Sequence, residues 1–291
     1  MRIFIVGATG VIGSRIVLRL RSLGHEVTAL SRSEANRAAI EGMGARPASE
    51  LALAGHDAVI NLATHVPPSS RALIPGAWRA TNALRRTLPP RIARAARENG
   101  VRRYIQESFA PVYPDRGGEW IDESVPIAPV RYNGGIADAE AAVRAFDGDG
   151  VVLRFGYFYG PDSDFIRDMI KMVRKGWSPA MGRAEGYMSS IAHDDAAEAV
   201  IAALELPRGV YNAVDDEPLT KRELVDSLAG RLGVPPPRFL PAWVPLLLGS
   251  LGRTLARSQR ISNRKLREAS PWRPKYPSVR EGWAAVLTEL R

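Results

Sequence analysis

Three glycines at intervals of three residues could hold a phosphate near the start of the chain. They follow the apolar, β-branched run from Arg2 to Val6, which is long enough for a buried strand. Beyond them, apolar residues recur at helical spacing, so a helix should begin at this turn. A helix N-terminus attracts a pyrophosphate through its unpaired N–H groups and its dipole, and glycines permit close approach. The pattern therefore predicts a dinucleotide-binding turn. Its candidate contacts are Gly7, Thr9, Gly10, Val11, Ile12 and Gly13.

The end of the second predicted strand should select the cofactor. In dinucleotide folds, an acidic residue about 20 residues after the glycines binds the ribose 2′-OH of NAD. This chain has Ser31 and Arg32 there, after the strand from His25 to Leu30. A hydroxyl and a guanidinium suit a 2′-phosphate, so we predict NADP as the cofactor. The alternative is NAD, with Arg32 on the surface and Glu34 turned inward.

Further candidates lie where other predicted strands end, because ligands of open α/β sheets bind at the carboxyl ends of strands. One such end carries His65, which could act as an acid or base, although a lone histidine in a loop is more often structural. The expected cofactor contacts at these ends are Ala63, Thr64, Tyr157 and Phe158. The catalytic candidates that follow the strand from Arg102 to Gln106 are Glu107, Ser108 and Tyr113.

The elements that must position these residues alternate between strand and helix over the first 160 residues. This alternation predicts an α/β fold with a doubly wound parallel sheet. Residues 44–55 leave little room for a regular third strand. Pro89 and Pro90 should interrupt the helix predicted from Trp78 to Asn99, because proline lacks an N–H group. Residues 239–257 predict an apolar helix, whose role is core packing or, alternatively, a substrate lid or subunit contact.

The composition excludes several classes of protein. Hydrophobic residues make up 45% of the 291 residues, which is typical of a globular protein. The chain has no cysteine, which excludes disulfides, zinc thiolates and thiol nucleophiles and is compatible with a reducing compartment. No metal site is expected. The net charge is +9, but the basic residues are scattered without interleaved aromatics, so nucleic acid is not an expected partner.

Neither a membrane anchor nor a secretory signal is expected. The longest apolar stretch, Phe239 to Leu251, is broken by prolines and is too short to span a bilayer. The first predicted strand begins at Arg2, which leaves no charged and apolar leader before it. We therefore expect a cytoplasmic protein that acts on a small molecule.

Taken together, these residues resemble the extended short-chain dehydrogenase/reductase superfamily, in its NAD(P)-dependent epimerase/dehydratase branch. The resemblance covers nearly the whole chain. It implies a Rossmann domain at residues 1–160, completed by about residues 191–215. It also implies a smaller C-terminal substrate-binding domain from residues 161–190 and 216–291, and a homodimer. Besides the glycine turn, the matching pieces are Asn61-Leu62-Ala63, Tyr159-Gly160-Pro161, His193-Asp194-Asp195, Tyr211-Asn212, Ser262-Asn263, Trp272, Pro274 and Gly282.

The same resemblance implies a catalytic tyrosine but not its usual partner. The family carries a Tyr-x-x-x-Lys pair, in which the phenol is the general acid or base and the lysine lowers its pKa. Tyr132 matches the tyrosine, because Glu140 follows eight residues later, as a glutamate does in the family. The lysine position is then Ile136, which carries no charge and cannot lower a phenol pKa near 10. No lysine precedes Lys171 in the chain.

The family's upstream serine is also displaced. Counted back from Tyr113, its position falls on Phe109, with Ser108 one residue away and Glu107 beside it. The catalytic candidates are therefore Tyr132, Ser108, Tyr113 and Glu107, with His65 and Tyr187 further out.

Three functions are compatible with these residues. The first is an NADP-dependent oxidoreductase or epimerase-like enzyme with non-standard acid/base residues, acting on the carbonyl or hydroxyl of a sugar-like or secondary metabolite. The second is a redox-neutral isomerase or cyclase on the same fold. The third is a non-catalytic regulator that senses NADP.

Overall fold

In the computed structural model, residues 1–74 and 76–290 are described. The strands are β1 (Arg2–Val6), β2 (Glu26–Leu30), β3 (Arg46–Ala48), β4 (Ala58–Asn61), β5 (Arg103–Phe109), β6 (Trp120–Ile121), β7 (Asp149–Phe155), β8 (Tyr157–Tyr159), β9 (Tyr187–Met188), β10 (Ser190–Ala192), β11 (Gly209–Ala213), β12 (Leu219–Thr220) and β13 (Arg260–Ile261). The α-helices are α1 (Val11–Ser22), α2 (Glu34–Gly42), α3 (Arg79–Glu98), α4 (Gly135–Arg144), α5 (Asp164–Arg174), α6 (His193–Ala202), α7 (Lys221–Leu232), α8 (Gly249–Ala256), α9 (Arg264–Ala269) and α10 (Val279–Glu289).

Seven strands form one parallel sheet, in the order β11-β7-β5-β4-β1-β2-β3. Chain order runs from β1 outward to β3 and then resumes on the other side at β4. The sheet therefore has its switch point at the carboxyl end of β1, where open α/β sheets bind ligands. This sheet confirms the predicted Rossmann-like α/β fold.

Alternate residues of β1 pack into apolar cores on opposite faces of the sheet, as the two-residue period of a strand requires. Ile3 and Ile5 join the core that also holds Ile16 of α1 and Val200 of α6. Phe4 and Val6 join the other core, which holds Ile92, Ala93 and Ala96 of α3. A third apolar cluster links α5, α7 and α10. The division into a Rossmann domain and a substrate domain stays a prediction.

Three local expectations differ from the structure. Residues 46–48 do form a third strand, which pairs with β2 along Thr28–Leu30. Pro89 and Pro90 do not interrupt α3, which is continuous although both prolines lack the N–H of a helical hydrogen bond. Burial of the apolar face of α3 in the core accompanies this continuity.

The third difference concerns residues 239–257, which do not form one long helix. A 3-10 turn at Val244–Leu248 precedes the short α8, and Gly249 between them has a positive φ of 61°. Trp243, Leu246 and Leu247 are exposed, so core packing does not account for these three side chains. No helix in residues 1–74 and 76–290 is both long enough and apolar enough to span a bilayer.

Candidate active site and cofactor site

The glycine turn has the geometry that a pyrophosphate requires. Gly7 has φ +94°, and a Cβ there would lie 2.8 Å from the backbone of Leu62 and Ala63. A Cβ on Gly13 would lie 2.1 Å from the carbonyl oxygen of Gly7, so this glycine lets α1 start close to the sheet. At Gly10 a Cβ would meet only that oxygen, at 3.4 Å. The protein's own packing therefore does not demand glycine at position 10, which is compatible with its predicted role of letting a ligand approach the backbone.

The start of α1 is also suited to an anion. Its N-cap Gly10 offers no side-chain cap, and its first turn holds no acidic residue. Thr9, Gly10 and Val11 are exposed, and Ile12 is half-buried. The first N–H groups of α1 thus lack side-chain acceptors, and helix N-termini of this kind bind phosphates. The residues present fit a dinucleotide, although the individual contacts stay predictions.

The two residues at the end of β2 that are predicted to select the cofactor differ in their exposure to solvent. Ser31 is buried, and its hydroxyl donates a 2.9 Å hydrogen bond to the carbonyl of Ser33. Arg32 is exposed and makes no hydrogen bond or ion pair with any described residue. Glu34 does not turn inward, since its side chain is 89% exposed and lies 3.6 Å from Arg37. This geometry leaves Arg32 available for a 2′-phosphate, and the carboxylate of Glu34 points away from the predicted ribose site.

The other predicted cofactor contacts lie at the ends of the strands β4 and β7. Ala63 is half-buried and donates its N–H to the side chain of Asn61, while Thr64 is exposed. Tyr157 and Phe158 are half-buried in β8, directly after β7. These four residues lie at the carboxyl edge of the sheet, as predicted; whether they touch a cofactor stays a prediction.

Tyr132 is held by one face of α3, which the sequence did not reveal. Trp78, Asn82 and Arg85 are spaced at i, i+4 and i+7, so their side chains share that face. The rings of Trp78 and Tyr132 meet edge to face, with centroids 4.9 Å apart. The amide of Asn82 donates to the carbonyl of Tyr132 at 2.9 Å and accepts the N–H of Gly135, also at 2.9 Å. Asn82 therefore ties Tyr132 to the start of α4.

A buried ion pair lies next to this tyrosine. The Nη2 of Arg85 donates to both carboxylate oxygens of Glu107, at 2.8 and 3.1 Å, and both side chains are 9% exposed. Burial raises the pKa of Tyr132 to about 12, and the positive charge of Arg85 opposes that rise. Tyr157 lies close enough that its own pKa is raised, first by burial and then by Tyr132. We call Trp78, Asn82, Arg85, Glu107, Tyr132 and Tyr157 the Tyr132 cluster.

The position four residues after Tyr132 is a core position. Ile136 is 1% exposed in α4. None of the five lysines takes the place of the family's lysine. Lys171, Lys175, Lys265 and Lys275 are exposed, and the side chain of Lys221 binds backbone carbonyls in another part of the fold. The Nζ of Lys221 donates to four backbone carbonyls, those of Met181, Leu255, Ala256 and Arg257, at 2.6–3.0 Å.

Ser108 and Tyr113 are not in the Tyr132 cluster but in a separate buried network. The hydroxyl of Ser108 donates to Glu140 at 2.8 Å, and Arg154 forms two hydrogen bonds with the same carboxylate, at 2.8 and 2.7 Å. Arg154 also donates to the hydroxyl of Tyr113, which donates to Asn212. Burial raises the pKa of Tyr113 to about 12. These partners favour a structural role for Ser108 and Tyr113, although their assignment as catalytic has not been tested.

The remaining catalytic candidates, His65 and Tyr187, also lie outside the Tyr132 cluster. His65 is exposed, and its carbonyl, not its ring, accepts a hydrogen bond from Thr81. The guanidinium of Arg260 lies over the ring of Tyr187, with its Cζ atom 4.9 Å from the ring centre. Of the residues singled out from sequence for catalysis, Tyr132 and Glu107 are both neighbours of Arg85, whereas Ser108 and Tyr113 meet in the separate network around Glu140.

His193, in one of the segments shared with the family, should make the protein sensitive to acid. Its ring packs against Gly160, where a Cβ would lie 2.2 Å from Nδ1, and this nitrogen has no partner in the described chain. Burial, followed by the charge of Arg15, lowers its pKa from 6.5 to about 4. As the pH falls below 6.5 the unfolded chain binds this proton first, so stability is lost towards pH 4. We expect a loss of about 2–3 kcal/mol between pH 7.5 and 4.5 from this residue.

Urea unfolding at the two pH values would measure this effect. His193→Gln should show a smaller loss on acidification than the natural protein, while His65→Gln, which alters an exposed ring, should not. An equal loss in all three proteins would show that His193 is not the responsible group.

Comparisons with known proteins agree with this architecture. The model of the NAD dependent epimerase/dehydratase family matches residues 3–213. A 3-diazoavenalumate denitrifying reductase from a Streptomyces species is 34% identical over 304 residues, covering 97% of this chain and 99% of the relative. The crystal structure of a human epimerase family protein with NADPH superposes with a TM-score of 0.84 at 23% identity, over 99% of both chains. UDP-glucuronic acid 4-epimerase from Bacillus cereus, in complex with UDP-glucuronic acid and NAD, gives a TM-score of 0.76 at 19% identity, over 100% of this chain and 99% of that one. The chain belongs to the NAD dependent epimerase/dehydratase family.

Proposed function

We propose that the protein is an NADP-dependent reductase of a small molecule, with Tyr132 as its proton donor. The observation that carries the proposal is the Tyr132 cluster, in which a half-buried tyrosine at the carboxyl edge of the sheet lies near the guanidinium of Arg85. The hydroxyl of Tyr132 makes no hydrogen bond with a described residue, so it is available to donate one to a substrate oxygen. The Streptomyces relative is named a reductase, which favours reduction over epimerisation.

Separate groups of residues would bind the cofactor, donate the proton and cover the substrate. The glycine turn would hold the pyrophosphate and Arg32 the 2′-phosphate, and a reduced nicotinamide bound there supplies a hydride. Tyr132 would donate its proton to an oxygen that gains negative charge. With its pKa raised to about 12 by burial, the phenol is protonated at neutral pH and carries the proton that it would donate. Residues 161–190 and 216–291 would cover the substrate.

A second type of acceptor is favoured by one comparison. The Streptomyces relative is named for a substrate with a diazo group and for the loss of nitrogen. A cationic diazonium carbon that accepts a hydride becomes a neutral C–H group and releases N₂, so no proton is needed. The absence of the family's lysine at Ile136 is compatible with such an acceptor. Tyr132 would then shape the site without donating a proton.

The proposed function is tested by NADPH oxidation in the presence of two probes, 4-nitrobenzaldehyde and a benzenediazonium salt. We expect oxidation of NADPH with at least one probe, and transfer of deuterium from 4-deuterated NADPH to the product. Tight NADPH binding without oxidation by either probe would contradict a reductase and support the regulator.

The cofactor preference gives a separate prediction at Arg32. Arg32→Ala should weaken NADPH binding about 10- to 100-fold, because a charged hydrogen bond contributes about 1.5–3 kcal/mol. NADH binding should hardly change, since NADH has no 2′-phosphate. Nicotinamide fluorescence during titration measures both affinities.

Arg37→Ala is the matched control. Arg37 lies on the next helix, α2, and pairs with Glu34 and Glu41 at the surface. It should leave both affinities unchanged. An equal loss of NADPH and NADH binding in Arg32→Ala would contradict a role in binding the 2′-phosphate.

A further inference from the structure

The Tyr132 cluster contains a buried cation where the family's lysine is absent. Arg85 comes from α3, whereas the expected lysine would follow Tyr132 on α4. The guanidinium is nearly buried, and its Nε has no hydrogen-bond partner among the described residues. Buried donors are rarely left without a partner, so we infer that this N–H has a role other than packing.

Two contacts fix where this charge lies. Glu107, at the end of β5, holds Nη2 with both of its oxygens, so the guanidinium cannot swing away from the sheet edge. One turn before Arg85, Asn82 binds the backbone on both sides of the loop that carries Tyr132. The same helix therefore positions the phenol and the cation relative to each other.

Neighbouring arginines do not offer this arrangement. Arg86 points to the surface, where it pairs with Asp138 at 3.0 Å and its side chain is 60% exposed. Arg257 lies near Tyr157, but its nitrogens donate to the backbone carbonyls of Tyr113 and Ala128. Arg85 instead lies on the face of α3 whose Trp78 and Asn82 contact Tyr132, and its charge opposes the rise in the pKa of that phenol.

We propose that Arg85, held by Glu107, replaces the family's lysine as the residue that stabilises the ionised form of Tyr132. The inference rests on the proposed role of Tyr132 as the proton donor. After Tyr132 gives up its proton, a phenolate remains in a buried site. The fixed positive charge of Arg85 lowers the free energy of that phenolate. Arg85 is thus a positioning residue, which acts on the reaction through Tyr132.

The experiment measures the acidity of the phenol itself and needs neither cofactor nor substrate. Tyr132 is replaced by 3,5-difluorotyrosine, whose more acidic phenol titrates within the range in which proteins stay folded, and fluorine NMR follows its ionisation. Arg85→Gln keeps a donor for Glu107 but removes the charge. We expect it to raise the titration midpoint by about 1 pH unit, as for loss of a nearby opposite charge.

Two further variants separate charge from structure. Arg85→Lys should restore the midpoint to within about 0.3 pH unit of the natural protein, because it keeps the charge. Arg86→Gln, one residue along α3, should leave the midpoint unchanged. If Arg85→Gln does not fold, the variant Arg85→Met/Glu107→Gln leaves no buried charge unpaired. It should shift the midpoint in the same direction but by less, because the negative charge of Glu107 is removed as well.

The proposal is overturned if removal of the charge leaves the midpoint within about 0.3 pH unit, or if Arg85→Lys shifts it as far as Arg85→Gln does. Failure of the proposed function is recognised separately, by the absence of NADPH oxidation. A protein that reduces neither probe still reports the effect of Arg85 on the phenol.

Discussion

Replacement of Tyr132 by phenylalanine should lower kcat for reduction of 4-nitrobenzaldehyde about 10²- to 10⁴-fold, the usual contribution of a positioned general acid. The substitution removes one hydroxyl and keeps the ring that packs on Trp78. It should therefore leave the loop, the fold and the Kd for NADPH nearly unchanged. Initial rates of NADPH oxidation and a fluorescence titration measure the two quantities.

Tyr211→Phe is the matched control, because the hydroxyl of Tyr211 donates to the backbone carbonyl of Pro207, just before β11 and at the edge of the sheet opposite its carboxyl edge. It should retain full activity. Unchanged turnover of the aldehyde in Tyr132→Phe would show that another group donates the proton. A large loss of NADPH affinity would instead place Tyr132 in cofactor binding.

The same variant separates the two types of acceptor. Reduction of an aldehyde creates an alkoxide that needs a proton, whereas a diazonium carbon needs none. Tyr132→Phe should thus lose activity with the aldehyde and keep activity with the benzenediazonium probe. A protein that reduces only the diazonium salt, and does so equally well in Tyr132→Phe, would favour the second candidate function.

The fold could be predicted from sequence because its signals are local. The glycine turn and the β-branched run before it each span a few residues, and so does the pattern that predicts each of the alternating strands and helices. The break predicted at Pro89 and Pro90 was wrong for the same reason. A local rule predicts a break there, whereas packing of Ile92 and Ala96 in the core favours a continuous helix. Local patterns therefore predict elements well where tertiary packing does not oppose them.

The site could be predicted only in part, because its residues meet through the fold. Tyr132 followed from its spacing to Glu140, but Arg85 lies 22 residues before Glu107 in the chain, on a different element. Its one sequence signal is the spacing of Trp78, Asn82 and Arg85 around the start of α3, a helix whose buried residues after Arg85 are all apolar. Ser108 looked catalytic because it follows the predicted strand from Arg102 to Gln106, yet it lies within β5 and its hydroxyl donates to Glu140.

The network around Glu140 explains why a buried serine and tyrosine stand so close to the site. Glu140 is fully buried in α4, at the helix that begins just after Tyr132. Its carboxylate binds Ser108 of β5 and Arg154 of β7, and Arg154 reaches Tyr113 beyond β5. The network therefore fixes α4 against the two strands whose carboxyl ends carry the site.

Loss of Arg154 should destabilise the protein strongly. Arg154→Met leaves Glu140 as a buried charge without its two strongest hydrogen bonds, a defect that typically costs about 3–5 kcal/mol. Arg144→Met is the matched control, because Arg144 approaches the same carboxylate at 3.4 Å from the surface, with its side chain 56% exposed. Because the guanidinium of Arg144 stays largely in water and makes one long contact, its loss should cost about 0–1 kcal/mol, as for exposed ion pairs. Urea unfolding of the two variants measures the difference.

A double variant tests the cause. Arg154→Met/Glu140→Gln removes the unpaired charge as well, so it should recover part of the stability lost in Arg154→Met. If the double variant is less stable than Arg154→Met, the penalty comes from lost packing and hydrogen bonds and not from the buried carboxylate. If Arg144→Met costs as much as Arg154→Met, the two arginines share the charge equally, and Arg154 is not its principal partner.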